Sequence, residues 1–228
     1  MSSYNLTLNE LIVKSRKHLL EMLQDRGFNT KKINSITNDE LIKLFDKHKM
    51  DKMDMSSSLG PLDISLSTPE GLKIVVKYRL DEKFKKSDKL QEQINEIFKN
   101  NNLTPETDCL IILNIKRIYL KAGEKDNSVQ TFVNKCLAEK KFVQIFGLEN
   151  FMFNISKHIY VPTHTILKSN EIRDMLSFYN TKVEHIPVIK REDQMAKYIG
   201  LRPGQIVKIQ SYNATTGISI NYRRCVIE

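Results

Sequence analysis

Apolar positions along the chain fall into helical stripes and alternating runs. Thr7-x-x-Glu10 has the form of a capping box and opens a helix to about Arg26. Leu8, Leu11, Ile12, Leu19, Met22 and Leu23 make its buried stripe, and Gly27 is the stop. Thr37-x-x-Glu40 repeats the device for a shorter helix carrying Leu41, Leu44 and Phe45. Lys47 to Ser58 mixes charge, Met and Ser without a period and reads as a loop. Leu72 to Leu80 alternates Leu72, Ile74, Val76, Tyr78 and Leu80 with Lys73, Val75, Lys77 and Arg79, which predicts a strand with one buried and one basic face. A helix follows over Asp88 to Asn100, with Leu90, Ile94, Ile97 and Phe98 inward. Asp108 to Ile115 is nearly all apolar, as a central strand covered on both faces would be. Lys121 to Asp126 reads as a charged turn, and Ser128 to Lys140 as a helix burying Val129, Phe132, Val133, Cys136 and Leu137. Phe142 to Phe146 and Phe151 to Ile155 read as extended.

This alternation predicts a layered α/β domain over residues 1–150. No Gly/Ser- or Pro-rich linker follows it, so the boundary near Asn150 to Ser156 is expected to be a strand continuing into a second domain, 151–228. There the pattern predicts a strand over Lys157 to Val161, a turn at Pro162, and a helix over Ser169 to Tyr179. Ile172, Met175, Leu176 and Tyr179 form that helix's inner face. After a short apolar run at Ile186 to Ile189, the stretch DQMAKYIGLRPGQIVKI (193–209) is the most closely specified in the chain. Asp193 suits an N-cap, Gly200 a left-handed helix end, and Leu201 can fold back on the last turn. Arg202-Pro203-Gly204-Gln205 has the residues of a tight turn, with Gly supplying φ > 0. A hairpin of Gln205 to Tyr212 with Gly217 to Val226 completes a small mixed sheet with two helices, Ile218, Ile220 and Tyr222 alternating with Ser219, Asn221 and Arg223.

Hydrophobic residues make up 40% and charged residues 28% of the 228, an ordinary globular composition. The net charge of +9 is unevenly spread: residues 1–150 carry 25 Lys and Arg against 21 Asp and Glu, residues 151–228 carry 11 against 6. That excess favours an anionic neighbour. Cys109, Cys136 and Cys225 are far apart, odd in number and outside any C-x-x-C spacing, which fits reduced core thiols inside a cell. MSSYNLTLNE has no basic-then-apolar signal, and no apolar run reaches membrane-spanning length, so neither secretion nor membrane insertion is expected.

Catalytic chemistry finds little footing. There is no P-loop, dinucleotide glycine fingerprint or G-x-S-x-G, and His18, His48, His158, His164 and His185 lack metal-ligand spacing. No catalytic residue, metal or cofactor is expected. Asp63 before a strand holding Val75-Val76-Lys77 echoes the metal site of nucleases, in which a second carboxylate stands two positions before the lysine. Position 75 is valine, so that site cannot be assembled. Lys73, Lys77, Arg79, Lys116, Arg117 and Lys121 are the candidates for proximity to nucleic acid, through phosphate neutralisation without base reading.

The runs HIYVPTHTIL, SNEIRDMLSFYN, HIPVIKREDQMAKYIGLRPGQIVKI and GISINYRRC, about 70 residues in continuous order, closely resemble the fifth subunit shared by eukaryotic RNA polymerases I, II and III, a family that includes a much shorter archaeal relative. Val161-Pro162, His164, Pro187, Asp193, Tyr198, Gly200-Leu201, Gly204, Val207-Lys208-Ile209, Gly217 and Tyr222-Arg223 carry the likeness. It thins upstream, although Glu21 to Phe28 (EMLQDRGF) resembles the end of the family's first helix. Leu120 to Val129 lacks the Thr-Pro-Ser-Ala motif of cellular members.

The resemblance implies a nuclease-like topology for the N-terminal α/β domain and a small α+β C-terminal domain. It implies a non-catalytic subunit of a DNA-directed RNA polymerase. In such a subunit, residues 151–228 dock on the largest subunit and residues 1–150 form part of the jaw beside downstream DNA. The assembly surface it implies is His158, Tyr160, Val161, Pro162, His164, Arg202, Pro203 and Gly204. The thin N-terminal match and high Lys, Asn and Ile usage point to a divergent member of large-DNA-virus type, placed in a viral factory and virion; a cellular member would be nuclear. The competing reading is a free-standing basic α/β protein that binds DNA or is a degenerate nuclease.

Overall fold

A computed structural model describes residues 7–50, 59–79, 87–105, 108–114, 128–213, 215 and 217–227. Its internal contacts divide the chain into two compact units, Met1–Phe153 and Asn154–Glu228.

The first unit opens with α1 (Leu8–Asp25), capped as expected: Thr7 Oγ1 accepts from Glu10 N, and Glu10 Oε2 accepts from Thr7 N at 2.8 Å. Two short helices follow, α2 (Lys31–Asn34) and α3 (Asn38–Met50), the latter closed by the second capping box at Thr37 and Glu40. The helix therefore runs four residues into the stretch expected to be a loop, whose remainder, 51–58, lies outside the described residues.

Strands β1 (Ile64–Ser67) and β2 (Lys73–Arg79) pair antiparallel. Helix α4 (Ser87–Asn100) crosses to β3 (Cys109–Asn114), and α5 (Ser128–Ala138) crosses to β4 (Val143–Gly147), both pairings parallel. The sheet order is β1-β2-β3-β4. Parallel neighbours need crossovers, and the two helices supply them on one face. Ile94, Ile97, Phe98, Phe132, Val133 and Cys136 pack there against Val75, Leu110, Ile112, Val143 and Ile145. On the other face α1 lies over the sheet, with Arg16 above the Tyr78 ring and Arg26 donating to Gln144 at 2.9 Å. Each such buried aliphatic side chain contributes about 1.5–3 kcal/mol, so this one cluster outweighs the fold's surface ion pairs.

This layering corrects the reading of β2. The expected basic face does not exist, because β2 is an inner strand and the α4–α5 layer covers the face that carries Val75, Lys77 and Arg79. Lys77 is 4% exposed, and Arg79 is buried as well. A second correction concerns Phe151 to Ile155, expected to be extended. Asn150 Oδ1 accepts from Gly147 N at 2.8 Å and turns the chain into a 3-10 turn, Leu148–Phe151, which packs under α1. No strand runs through the boundary. The side chains of Leu90 and Val129 and the turn at 121–126 lie outside the described residues.

The second unit begins with another 3-10 turn, Ile155–Lys157, where a strand over Lys157 to Val161 was expected. The strand, β5 (Thr163–Ile166), lies on the far side of Pro162. Next come α6 (Ser169–Phe178), β6 (Val188–Lys190), α7 (Gln194–Ile199), β7 (Ile206–Asn213) and β8 (Gly217–Val226). The sheet order is β5-β7-β8-β6, with β6 parallel to β8 and the other pairs antiparallel.

Helix α7 matches its sequence signals closely. Asp193 accepts from Met195 N and Ala196 N, and Gly200 at φ 70° ends the helix. Leu201 N then returns to Ala196 O at 2.9 Å, burying the Leu201 side chain completely. One sheet face packs Ile189, Val207 and Cys225 on α7; the other packs Ile206 and Tyr222 against Met175, Leu176 and Ile172 of α6. Tyr179, expected inward, is exposed, because it follows the last helical residue and only meets the rim of the sheet at Tyr222.

Candidate assembly and nucleic-acid surfaces

Residues 154–164 form a corner held by local side-chain bonds. Asn154 Oδ1 accepts from Ser156 N at 3.0 Å and from Ser156 Oγ at 2.7 Å, and Ser156 Oγ lies 3.2 Å from the buried Tyr198 hydroxyl. His158 O accepts from Val161 N at 2.9 Å, closing a tight turn whose tip is Ile159-Tyr160. The His158 ring leans on Tyr160, centroids 5.7 Å apart, and Tyr160 N points at His158 Nδ1, 3.3 Å away. His164 Nδ1–H donates to Pro162 O at 2.8 Å, so this imidazole fixes the corner. Among the described residues no group of three His, Cys, Asp or Glu side chains is placed to hold a metal ion. Val161, Pro162 and His164 are half-buried, whereas Ile159 and Tyr160 stand 87% and 86% exposed. Ile159 is absent from the residues singled out by sequence. The signal for it was an apolar residue at the tip of a turn fixed by Asn154 and Pro162.

The Arg202-Pro203-Gly204-Gln205 turn forms as its residues require. Gly204 sits at φ +88°, and Gln205 N returns to Arg202 O at 3.1 Å. Gly204 N donates to Cys225 O and Cys225 N donates to Gln205 O, stitching the turn to β8. The structure does not gather the two halves of the expected surface into one patch. Thr163 pairs with Gln210, while the 202–205 turn leads into Ile206, so they sit at opposite ends of the β5–β7 ladder, about 14 Å apart at roughly 3.4 Å per residue. The same register puts the corner at the end of the sheet where the β7–β8 hairpin projects.

In the first unit the residues echoing a nuclease centre are closed on one another. Asp63 Oδ2 accepts from Lys77 Nζ at 2.7 Å and from Gly60 N at 2.7 Å, and Oδ1 accepts from Tyr78 N at 2.8 Å. The pair is buried on both sides. Arg16 donates to Leu62 O, and burial pushes the Tyr78 phenol above its ordinary pKa despite the opposing Arg16 charge. Val75, where a second carboxylate would stand, faces the apolar core between α4 and β3. Of the six nucleic-acid candidates, Lys77 and Arg79 are interior, and Lys73 is half-buried with Nζ 3.2 Å from Asn102 O. Lys116, Arg117 and Lys121 lie outside the described residues. No helix among the described residues is long and apolar enough to cross a membrane.

Residues 153–225 match the family model for the RNA polymerase Rpb5 C-terminal domain. The chain is 29% identical over 215 residues to the subunit RPABC1 of DNA-directed RNA polymerases I, II and III from Caenorhabditis elegans, covering 92% of this chain and 93% of that one. The Dictyostelium discoideum counterpart is 35% identical over 104 residues, 43% of this chain and 53% of its own length. The DNA-directed RNA polymerase subunit Rpo5 of Archaeoglobus fulgidus is 39% identical over 74 residues, which is 97% of that protein and 32% of this one. A two-helix, four-stranded unit at the end of this chain thus spans nearly the whole of an archaeal subunit, and the chain belongs to the Rpb5/Rpo5 family of RNA polymerase subunits.

Proposed function

We propose that the chain is a non-catalytic subunit of a multisubunit DNA-directed RNA polymerase, docked on the largest subunit through residues 154–228. The observation that carries this is the self-contained second unit, which alone accounts for an archaeal relative and has its own apolar clusters. Its docking points are the 158–164 corner, led by the exposed Ile159-Tyr160 tip, and the 202–204 turn at the other end of the β5–β7 ladder. The first unit serves as the jaw beside downstream DNA. Its β1-β2-β3-β4 sheet, one antiparallel and two parallel pairings with crossover helices on one face, supports a nuclease-like topology without a nuclease's acidic centre. Lys73 and the basic residues at 116, 117 and 121 are the nucleic-acid candidates that remain, since Lys77 and Arg79 are interior. Cellular relatives serve polymerases I, II and III by name, and the matching compartment for this chain is the nucleus, or a viral factory and virion if its genome is viral.

The test is co-expression of the full chain with the largest subunit of its cognate polymerase, followed by affinity capture. Wild-type chain should retain the large subunit, and Tyr160→Asp with Arg202→Glu should release it while leaving circular dichroism unchanged. Equal retention by the double variant would place docking elsewhere.

A further inference from the structure

The β7–β8 hairpin outruns both of its flanking strands. β5 pairs only with Val207 to Gln210, and β6 pairs only with Arg224 to Val226. From Gly217 to Tyr222, β8 therefore has β7 on one side and no strand on the other among the described residues. Alternate residues of an antiparallel strand turn their N–H and C=O away from the partner, so this edge presents unpaired backbone groups. Proteins normally blunt such edges with charge, proline or a bulge. Here Ile209 to Tyr222 contains no charged residue and no proline, in a chain that is 28% charged. The edge sequence Ile218-Ser219-Ile220-Asn221-Tyr222 is instead rich in strand-forming residues.

The side chains beside the edge are chemically sorted. Tyr212 stands opposite Ile218, and the two are 79% and 62% exposed. Ile220 shares their face, and beyond it the Tyr222, Tyr179 and Phe178 rings follow one another edge to face, at 5.8 and 4.9 Å. The opposite face of the same strand carries Ser219, Asn221 and Arg223, all exposed. An open edge with one apolar and one polar flank selects an extended polypeptide whose residues alternate in the same way. A compact helix would leave the backbone edge unpaired, and a nucleic acid would call for cations that Ile209 to Tyr222 lacks.

Resting on the polymerase-subunit reading above, we infer that the outer edge of β8 from Gly217 to Tyr222 receives an extended strand of the polymerase subunit on which this chain docks. The added strand sets apolar residues against Ile218 and Ile220 and polar residues beside Ser219 and Asn221. The 158–161 corner lies at the same end of the sheet, so one partner can reach both.

The experiment is hydrogen–deuterium exchange of the full chain, alone and within the polymerase captured on it, together with an Ile218→Lys/Ile220→Lys variant. In the complex, edge amides of 217–222 should slow on the order of tenfold or more, since a ladder bond must open before they exchange. The variant should weaken capture about tenfold or more with unchanged circular dichroism, as loss of a buried anchor does. Unchanged exchange of 217–222 inside an intact complex would overturn the inference while leaving the subunit reading in place. Concentration-dependent protection of the edge in the isolated chain would overturn it too, by making a second copy the occupant. Failure of the wild-type chain to capture any polymerase would instead strike the subunit reading itself.

Discussion

Removing the Asp63 carboxylate is expected to destabilise the first unit strongly. The side chain accepts from Gly60 N, Lys77 Nζ and Tyr78 N, and with Lys77 it lies almost wholly out of water. Asp63→Ala leaves the Lys77 ammonium buried without its carboxylate, a loss of about 3–5 kcal/mol. Lys77→Met should cost less, because Asp63 keeps its two backbone donors. The double variant Asp63→Ala/Lys77→Met should recover part of the loss, since no orphaned charge remains. What persists is the cost of the Gly60 and Tyr78 N–H groups left without their acceptor. At about 2–4 °C per kcal/mol for a unit of this size, the single Asp63 variant should melt on the order of 6–20 °C lower. Two units can melt separately, so the better assay is native-state hydrogen exchange of the β2 amides, 73–79, across all three variants. An Asp63→Ala loss under about 1 kcal/mol would refute the reasoning. So would a double variant no better than the single one.

Other outcomes follow from single features. Gly204→Val should cost about 1–3 kcal/mol from backbone strain alone, since φ is +88° and a Cβ there meets nothing within 4 Å; urea denaturation of the full chain measures it, and an unchanged midpoint would contradict it. Burial pushes the Cys136 and Cys225 thiols up to about 11, so at pH 8 only about one in a thousand is thiolate. Folded protein should therefore resist alkylation at all three buried cysteines and label fully in denaturant, with prompt labelling of the folded chain as the contrary result. Purified protein with Mg²⁺ should not cut duplex DNA, and cleavage that vanishes in Asp63→Ala would contradict the closed Asp63–Lys77 pair.

Much of this architecture was legible where the determinants are local. Both capping boxes, the Asp193 cap, the left-handed Gly200 and the Arg202–Gln205 turn formed as their residues predict, because each is set by residues within a few positions. Lys77 shows where local reading stops. Period-two alternation sends polar residues to water by default, but whether a face meets water depends here on α4 and α5, which lie well downstream. Its carboxylate partner lies 14 residues upstream. The 157–161 segment failed differently: its Ile-Tyr-Val run suits a strand, yet the Asn154 side chain and the residue constraints around Pro162 favour a turn. Ile218 and Ile220 alternate as a half-buried strand should, but α6 covers only the Ile206–Tyr222 end of that face. Periodicity names the face of a strand and says nothing of how far the neighbouring helix extends. For the candidate surface, the Arg202–Gln205 turn was legible and the 158–161 turn was not, and their separation along β5 and β7 depends on register.

The central claim is that this chain works as a part of a polymerase and not alone. Its most direct test is tagging the full-length chain in its native source, purifying it at physiological salt, and weighing the intact assembly by native mass spectrometry. The account predicts one copy of this chain per particle alongside the two large polymerase subunits, in an assembly that transcribes DNA. Recovery of the chain alone, or with DNA but no large subunit, would contradict it.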